Sequence, residues 1–164
     1  MAVMKSLRIL LVEDSPSDVR LIREALKEAA VPVQITVARD GVEATDLLQQ
    51  VASGLANRPD LVLLDLNLPR KNGREVLAEV KGSAKLKQIP VLIMTSSKSD
   101  EDIAQAYELN ANCYITKPAD LAEYINVVRA IEEFWFFTVT LPDAFHLSAV
   151  RSPAEAGVQM QPAQ

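Results

Sequence analysis

Residues 61–73 read L-V-L-L-D-L-N-L-P-R-K-N-G. Four large aliphatics in a row, closed by a carboxylate and then broken at Pro69 and Gly73, predict a strand buried on both faces, as in a parallel sheet covered by helices. Asp65 then sits at the strand's C-terminal end. In open α/β sheets that edge holds the ligand crevice, because strand ends and helix starts leave side chains and free N–H groups there. Taken alone, Asp65 is equally suited to capping the turn that follows.

The same rhythm runs through the chain. Leu7 to Val12 is an aliphatic run ended by Glu13 and Asp14. Ser15 as N-cap, Pro16 at N1 and Asp18 at N3 give a capping-box-like helix start, followed by Val19, Ile22, Leu26 and Ala29 at helical spacing, with Pro32 as the stop. Val33 to Ala38 alternates as a strand does, Asp40 and Gly41 turn the chain, and Val42, Ala44 or Thr45, Leu48 and Val51 or Ala52 mark a second helix. After Gly73, Val76, Leu77 and Val80 share a helix face. A fourth strand ends at Thr95, followed by Ser96 and Ser97. Ser99 caps a helix running to about Leu109, where Asn110 suits a positive φ. Asn112 to Thr116 forms a fifth strand ending at Lys117 and Pro118. A last helix is predicted from about Asp120 to Phe137, with Leu121, Tyr124 or Ile125, Val128 and Ile131 facing inward. Five strands alternating with five helices specify an α/β fold with a doubly wound five-stranded parallel sheet.

Length and charge narrow the classes. The 164 residues fit one domain, expected over residues 5–137; residues 138–164, with three prolines and no sustained period, are expected to run extended through Leu141 and Pro142 and then to be disordered. His146 stands there without partners for a metal site. A net charge of -5 with no basic patch argues against nucleic acid. No apolar run approaches the roughly 18 residues that span a bilayer, and the N-terminus lacks a secretory signal, so the expected location is cytoplasmic, with no membrane partner. Cys113 is the single cysteine, which excludes an intramolecular disulfide, and its apolar neighbours predict a buried, inert thiol.

Right-handed crossovers bring the strand ends to one edge. Glu13, Asp14, Asp65, Thr95 and Lys117 meet there from four strands, which is hard to explain as unrelated strand-end punctuation. Two carboxylates about 4 Å apart repel by roughly 4 kcal/mol at an effective dielectric near 20. A hard divalent cation such as Mg²⁺ relieves that repulsion, with Asp14 and Asp65 as direct ligands, Glu13 direct or through water, and the backbone carbonyl of Asn67 completing the set. Lys117 offers a compact cation and Thr95 a hydroxyl donor, both suited to phosphoryl oxygens. The pattern fits phosphoryl transfer to the Asp65 carboxylate. No nucleotide-binding loop of the form G-x-x-x-x-G-K-[ST] or G-x-G-x-x-G occurs, so the expected donor is another protein and not ATP.

With E-D at one strand end, D at another, T-S at a third and K-P at the fifth, the sequence resembles the receiver domain of two-component response regulators. The resemblance implies a flavodoxin-like strand order 2-1-3-4-5. It implies a phosphoacceptor signalling protein that assists its own phosphorylation and dephosphorylation, with Asp65 taking the phosphoryl group from a sensor histidine kinase. Glu13 and Asp14 would hold Mg²⁺, and Thr95, Tyr114 and Lys117 would form the switch, with the Thr95 hydroxyl vacating space that Tyr114 enters. It also implies a cis Lys117–Pro118 peptide.

The run Phe134, Trp135, Phe136, Phe137 holds half of the chain's aromatic residues, and helical spacing cannot bury all four rings in one core. Two or three packing on the domain is one reading; an interface of a homodimer is the favoured one. The segments around Asp65, Tyr114 and this run resemble single-domain regulators paired with bacterial phytochrome histidine kinases. Two other classes stay open. An aspartate-based phosphohydrolase would resemble D-x-D-x-[TV] after the first strand, which this chain lacks. A phosphorylation-independent binding module is disfavoured by the complete acceptor set.

Overall fold

The computed structural model describes residues 6–142. Its elements are β1 (Leu7–Val12), α1 (Pro16–Leu26), β2 (Val33–Ala38), α2 (Gly41–Ala52), β3 (Leu61–Leu64), α3 (Gly73–Gly82), β4 (Val91–Thr95), α4 (Asp100–Glu108), β5 (Cys113–Thr116), α5 (Leu121–Ile131) and a π-helical segment (Glu132–Thr138). The five strands form one parallel sheet in the order β2-β1-β3-β4-β5. The expected disorder beyond Pro142 and the bystander role of His146 concern residues outside the described ones.

The sheet explains the two hydrophobic patterns. β1, β3 and β4 lie inside it and are buried on both faces, so their sequences run apolar without alternation. β2 lies at one edge and alternates, while β5 at the other edge is half-buried throughout. Alternate residues of the inner strands feed opposite layers. Leu10, Val12, Leu64 and Ile93 pack with α2 and α3 through Leu48, Val51, Val76 and Leu77. Ile9, Leu11, Leu63 and Leu92 pack with α1 and α5 through Ile22, Leu26, Tyr124 and Val128. Each such side chain, fully buried, contributes about 1.5–3 kcal/mol, so the layers can carry a charge-dense edge above them.

Several boundaries differ from expectation. α1 ends at Leu26, six residues before Pro32, because the chain tightens into turns in which the Glu28 and Ala29 N–H groups donate to the Ala25 and Leu26 carbonyls at 3.1 Å. The chain bends at Asp40, which also caps α2 by accepting the Glu43 N–H at 2.8 Å, but Gly41, expected in the turn, is already helical. Leu121, expected to face inward, is 39% exposed, and the buried residues of α5 are Tyr124, Val128 and Ile131. Asn110 does adopt φ 68° at the end of α4. The Lys117–Pro118 peptide is trans, like every peptide among the described residues. The helix predicted to run α-helically to Phe137 changes to π at Glu132, where the buried Glu132 Oε1 accepts the Ala30 and Val31 N–H groups at 2.7 and 3.1 Å. Trp135 and Phe136 then pack on the α1/α5 layer, leaving Phe134 and Phe137 51% and 60% exposed. No helix among the described residues is long and apolar enough to cross a membrane.

Candidate functional site

The loop after β3 is fixed by close packing. A Cβ at Gly73 would stand 2.1 Å from the Asp65 carbonyl oxygen, and the Gly73 N–H donates to the Leu66 carbonyl at 2.9 Å, so only glycine lets the start of α3 close onto the acid-bearing strand end. Asn72 caps α3 through a full capping box with Glu75. The Asp65 N–H donates to the Val12 carbonyl at 3.0 Å, which ties Asp65 to the strand carrying Glu13.

Asp65 and Glu13 are buried, at 5% and 2% exposure, whereas Asp14 faces solvent. Ligand oxygens of Glu13, Asp14 and Asp65 lie within 4.8 Å of one another. The Lys117 ammonium reaches across the sheet edge to Glu13 Oε2 at 2.7 Å, Asp65 Oδ2 at 2.8 Å and Asp18 Oδ2 at 2.9 Å. Asp65 Oδ1 accepts the Asn67 N–H at 3.2 Å. Burial alone would lower the lysine's pKa, but the hydrogen bonds to Asp18, Asp65 and Glu13 reverse this and hold it above its usual range. Glu13 is pushed up to about 7 by burial, against the Lys117 contact and the Ser15 N–H that lower it.

On the other side of Asp65, Thr95 is fully buried at the end of β4, and its Oγ1 has no hydrogen-bond partner among the described residues. The half-buried Tyr114 donates its hydroxyl to the Ser97 carbonyl at 3.0 Å, and burial raises its pKa. Ser97 Oγ donates to Asp102 Oδ2 at 2.5 Å, and the other Asp102 oxygen pairs with Arg74 of α3. These two contacts hold the Asp102 carboxyl below its ordinary pKa, the Ser97 bond contributing most.

All the residues expected at the sheet edge are found there; Phe134 to Phe137 lie at the end of α5, apart from it. Asp18 departs from its expected role as a helix cap. Ser15 does accept the Asp18 N–H at 3.3 Å, but the Ser15 N–H goes to Glu13 Oε1 at 3.0 Å, so the Asp18 carboxylate is excused from the capping box and turns to Lys117. An acid at the third helical position already reads as a cap, so its turn to Lys117 is not legible locally. The Arg74–Asp102 contact joins segments 28 residues apart and no local pattern announces it, whereas Ser97 and Asp102 stand five apart. Tyr124 is another surprise, its buried hydroxyl without a partner among the described residues and pushed up to about 12, first by burial and next by the charge of Asp18.

The donor set fits a hard divalent cation. Three carboxylates, Glu13, Asp18 and Asp65, meet one ammonium, and Glu13, Asp14 and Asp65 converge with oxygen ligands only, the kind Mg²⁺ and Mn²⁺ take.

Comparison with known proteins agrees with this geometry. A model of the response regulator receiver domain matches residues 9–129. The response regulator Rcp1 of Synechocystis sp. is 49% identical over 137 residues, covering 83% of this chain and 93% of its own. A crystal structure of the phosphorylated cyanobacterial phytochrome response regulator RcpA superposes with a TM-score of 0.79 at 50% identity, covering 85% of this chain and 100% of that one. The Mn²⁺-bound form of Rcp1 gives 0.75 at 48% identity over 83% of this chain and 99% of that one. The doubly wound sheet, the acids at its edge and a family match over most of the chain lead to one assignment: the protein belongs to the response regulator receiver domain family.

Proposed function

We propose that the chain is a phosphoacceptor regulator, phosphorylated on Asp65 by a sensor histidine kinase of the phytochrome type, with Mg²⁺ as cofactor and a homodimer as its working form. The observation that carries this is the meeting of a buried Asp65 with Glu13 and Asp14 on one side and the Lys117 ammonium on the other. The likeness to Rcp1 and to the phosphorylated phytochrome regulator RcpA supports the kinase class.

An Asp65 carboxylate oxygen attacks phosphorus; the P–N bond to the donor imidazole breaks, its electron pair stays on the nitrogen, and that nitrogen takes a proton from water. Glu13, Asp14, Asp65 and the Asn67 carbonyl would hold Mg²⁺, which when bound neutralises charge on the phosphoryl oxygens. Lys117 places its ammonium against those oxygens, and the Thr95 hydroxyl supplies a donor that is uncommitted beforehand. The arriving group adds about -1.5 to -2 charge, which draws Thr95 toward it and lets Tyr114 exchange Ser97 for the space released. Phe134 and Phe137, exposed beside two packed neighbours, form the dimer contact.

The test is intact mass after incubation with acetyl phosphate and Mg²⁺. A single phosphoryl adduct is expected on the wild type and none on Asp65→Asn; an adduct that survives Asp65→Asn, or none on either protein, overturns the reading. Solution mass of the Phe134→Ser, Phe137→Ser double variant should fall to that of a monomer.

A further inference from the structure

Lys117 spends its three N–H donors on three carboxylates, and two of these, Glu13 and Asp65, belong to the trio that converges for a cation. A cation taking oxygens of Glu13 and Asp65 competes with the lysine for them. A buried ammonium that loses two of three partners without replacement would oppose that entry strongly. Asp18 stands outside the trio. Its backbone is pinned at the third position of α1 by Ser15 Oγ, and its carboxylate is free of the helix cap because Glu13 takes the Ser15 N–H.

We propose that Asp18 is a positioning residue for Lys117: it keeps the ammonium on the α1 side of the crevice, so that a divalent cation can take Glu13 and Asp65 while the lysine retains an anionic partner. Asp18 touches neither the reacting atoms nor the cation, and acts through Lys117. The proposal rests on the cation-binding part of the function above. The Asp18 bond is the leading contribution holding the lysine charged against its burial, which agrees with this role.

The experiment is a double-mutant cycle on the full chain, using Asp18→Asn and Lys117→Met, read by Mn²⁺ binding with calorimetry or electron paramagnetic resonance and, separately, by melting in metal-free buffer. Asp18→Asn is expected to weaken Mn²⁺ binding about tenfold when Lys117 is present, the size of one charged hydrogen bond. In the Lys117→Met background the same change should cost about twofold or less, the residue of a screened charge. Melting temperatures should show coupling between the two positions with no metal present. Two outcomes overturn the proposal alone: Mn²⁺ affinity unchanged by Asp18→Asn, or weakened equally in both backgrounds, which would make Asp18 a remote charge. Wild type that binds no Mn²⁺ at millimolar concentration overturns the cation site itself and this role with it.

Discussion

The two flanks of Asp65 are built on opposite principles. On the α1 and β5 flank, Glu13, Asp18 and Lys117 satisfy one another at 2.7 to 2.9 Å, and even the Ser15 N–H is drawn in. On the β4 flank, Thr95 is buried with its hydroxyl unanswered, and Tyr114 bonds outward to the loop after β4. A buried polar group without a partner costs free energy, so a fold keeps one only where something else holds it in place. Under the function proposed above, the satisfied flank would hold charge ready, and the unsatisfied flank is the part that a new anion would change.

Removing the cation should break the satisfied flank most visibly. Lys117→Met keeps the stem's bulk but leaves Glu13, Asp18 and Asp65 facing one another, and should cost about 3 kcal/mol of stability. Denaturant unfolding in metal-free buffer measures this. A loss below about 0.5 kcal/mol, the level of an exposed ion pair, would show that the three contacts do not hold the fold.

Cys113 reports whether β5 stays packed on the α1/α5 layer. It lies on β5 with its side chain toward the α1/α5 layer, and burial pushes its thiol up to about 11 from 9.0. At pH 8 the thiolate fraction, and with it alkylation by iodoacetamide, should run about a hundredfold below that of a free thiol, rising about tenfold per pH unit until near pH 11. Alkylation at the free-thiol rate would mean that β5 opens readily. The expectation of a buried, inert thiol is thus modified to a half-buried one, because β5 is an edge strand.

The opposite sign is expected across the site. Thr95→Val keeps the shape and deletes the unpartnered hydroxyl, so the unphosphorylated protein should gain about 1 kcal/mol, while the phosphoryl group loses a donor. Stability lost in this variant would mean that Thr95 Oγ1 has a partner at rest, and the contrast between flanks would fail.

The strand ends are legible in the sequence because an aliphatic run that stops on an acid, a threonine or a lysine marks both the strand and its exit. Glu13, Asp14, Asp65, Thr95 and Lys117 can be read that way. Asp18 cannot, since an acid at the third position of a helix already has a local explanation, and only the competing Glu13–Ser15 bond removes it. The capping box at Asn72 and Glu75 is masked by the more conspicuous Pro69 and Gly73 beside it. The π segment is hidden for a related reason: its departure from helical period follows from the distant bond between Glu132 and the α1–β2 turn, which no window around Phe134 contains.

Tyr114→Phe gives the smallest and most discriminating effect. The hydroxyl makes one hydrogen bond, to the Ser97 carbonyl at 3.0 Å, so its loss should cost about 0.5–1 kcal/mol. Since that bond points to the loop and not to Thr95, combining it with Thr95→Val should give the sum of the two single effects within about 0.5 kcal/mol in the unphosphorylated protein. Phosphorylation should create a coupling between the two positions that is absent at rest, measured as the same cycle on the phosphorylated chain. A coupling above about 1 kcal/mol before phosphorylation would show the two residues already linked, so that the β4 flank would be a preset arrangement and not a responsive one.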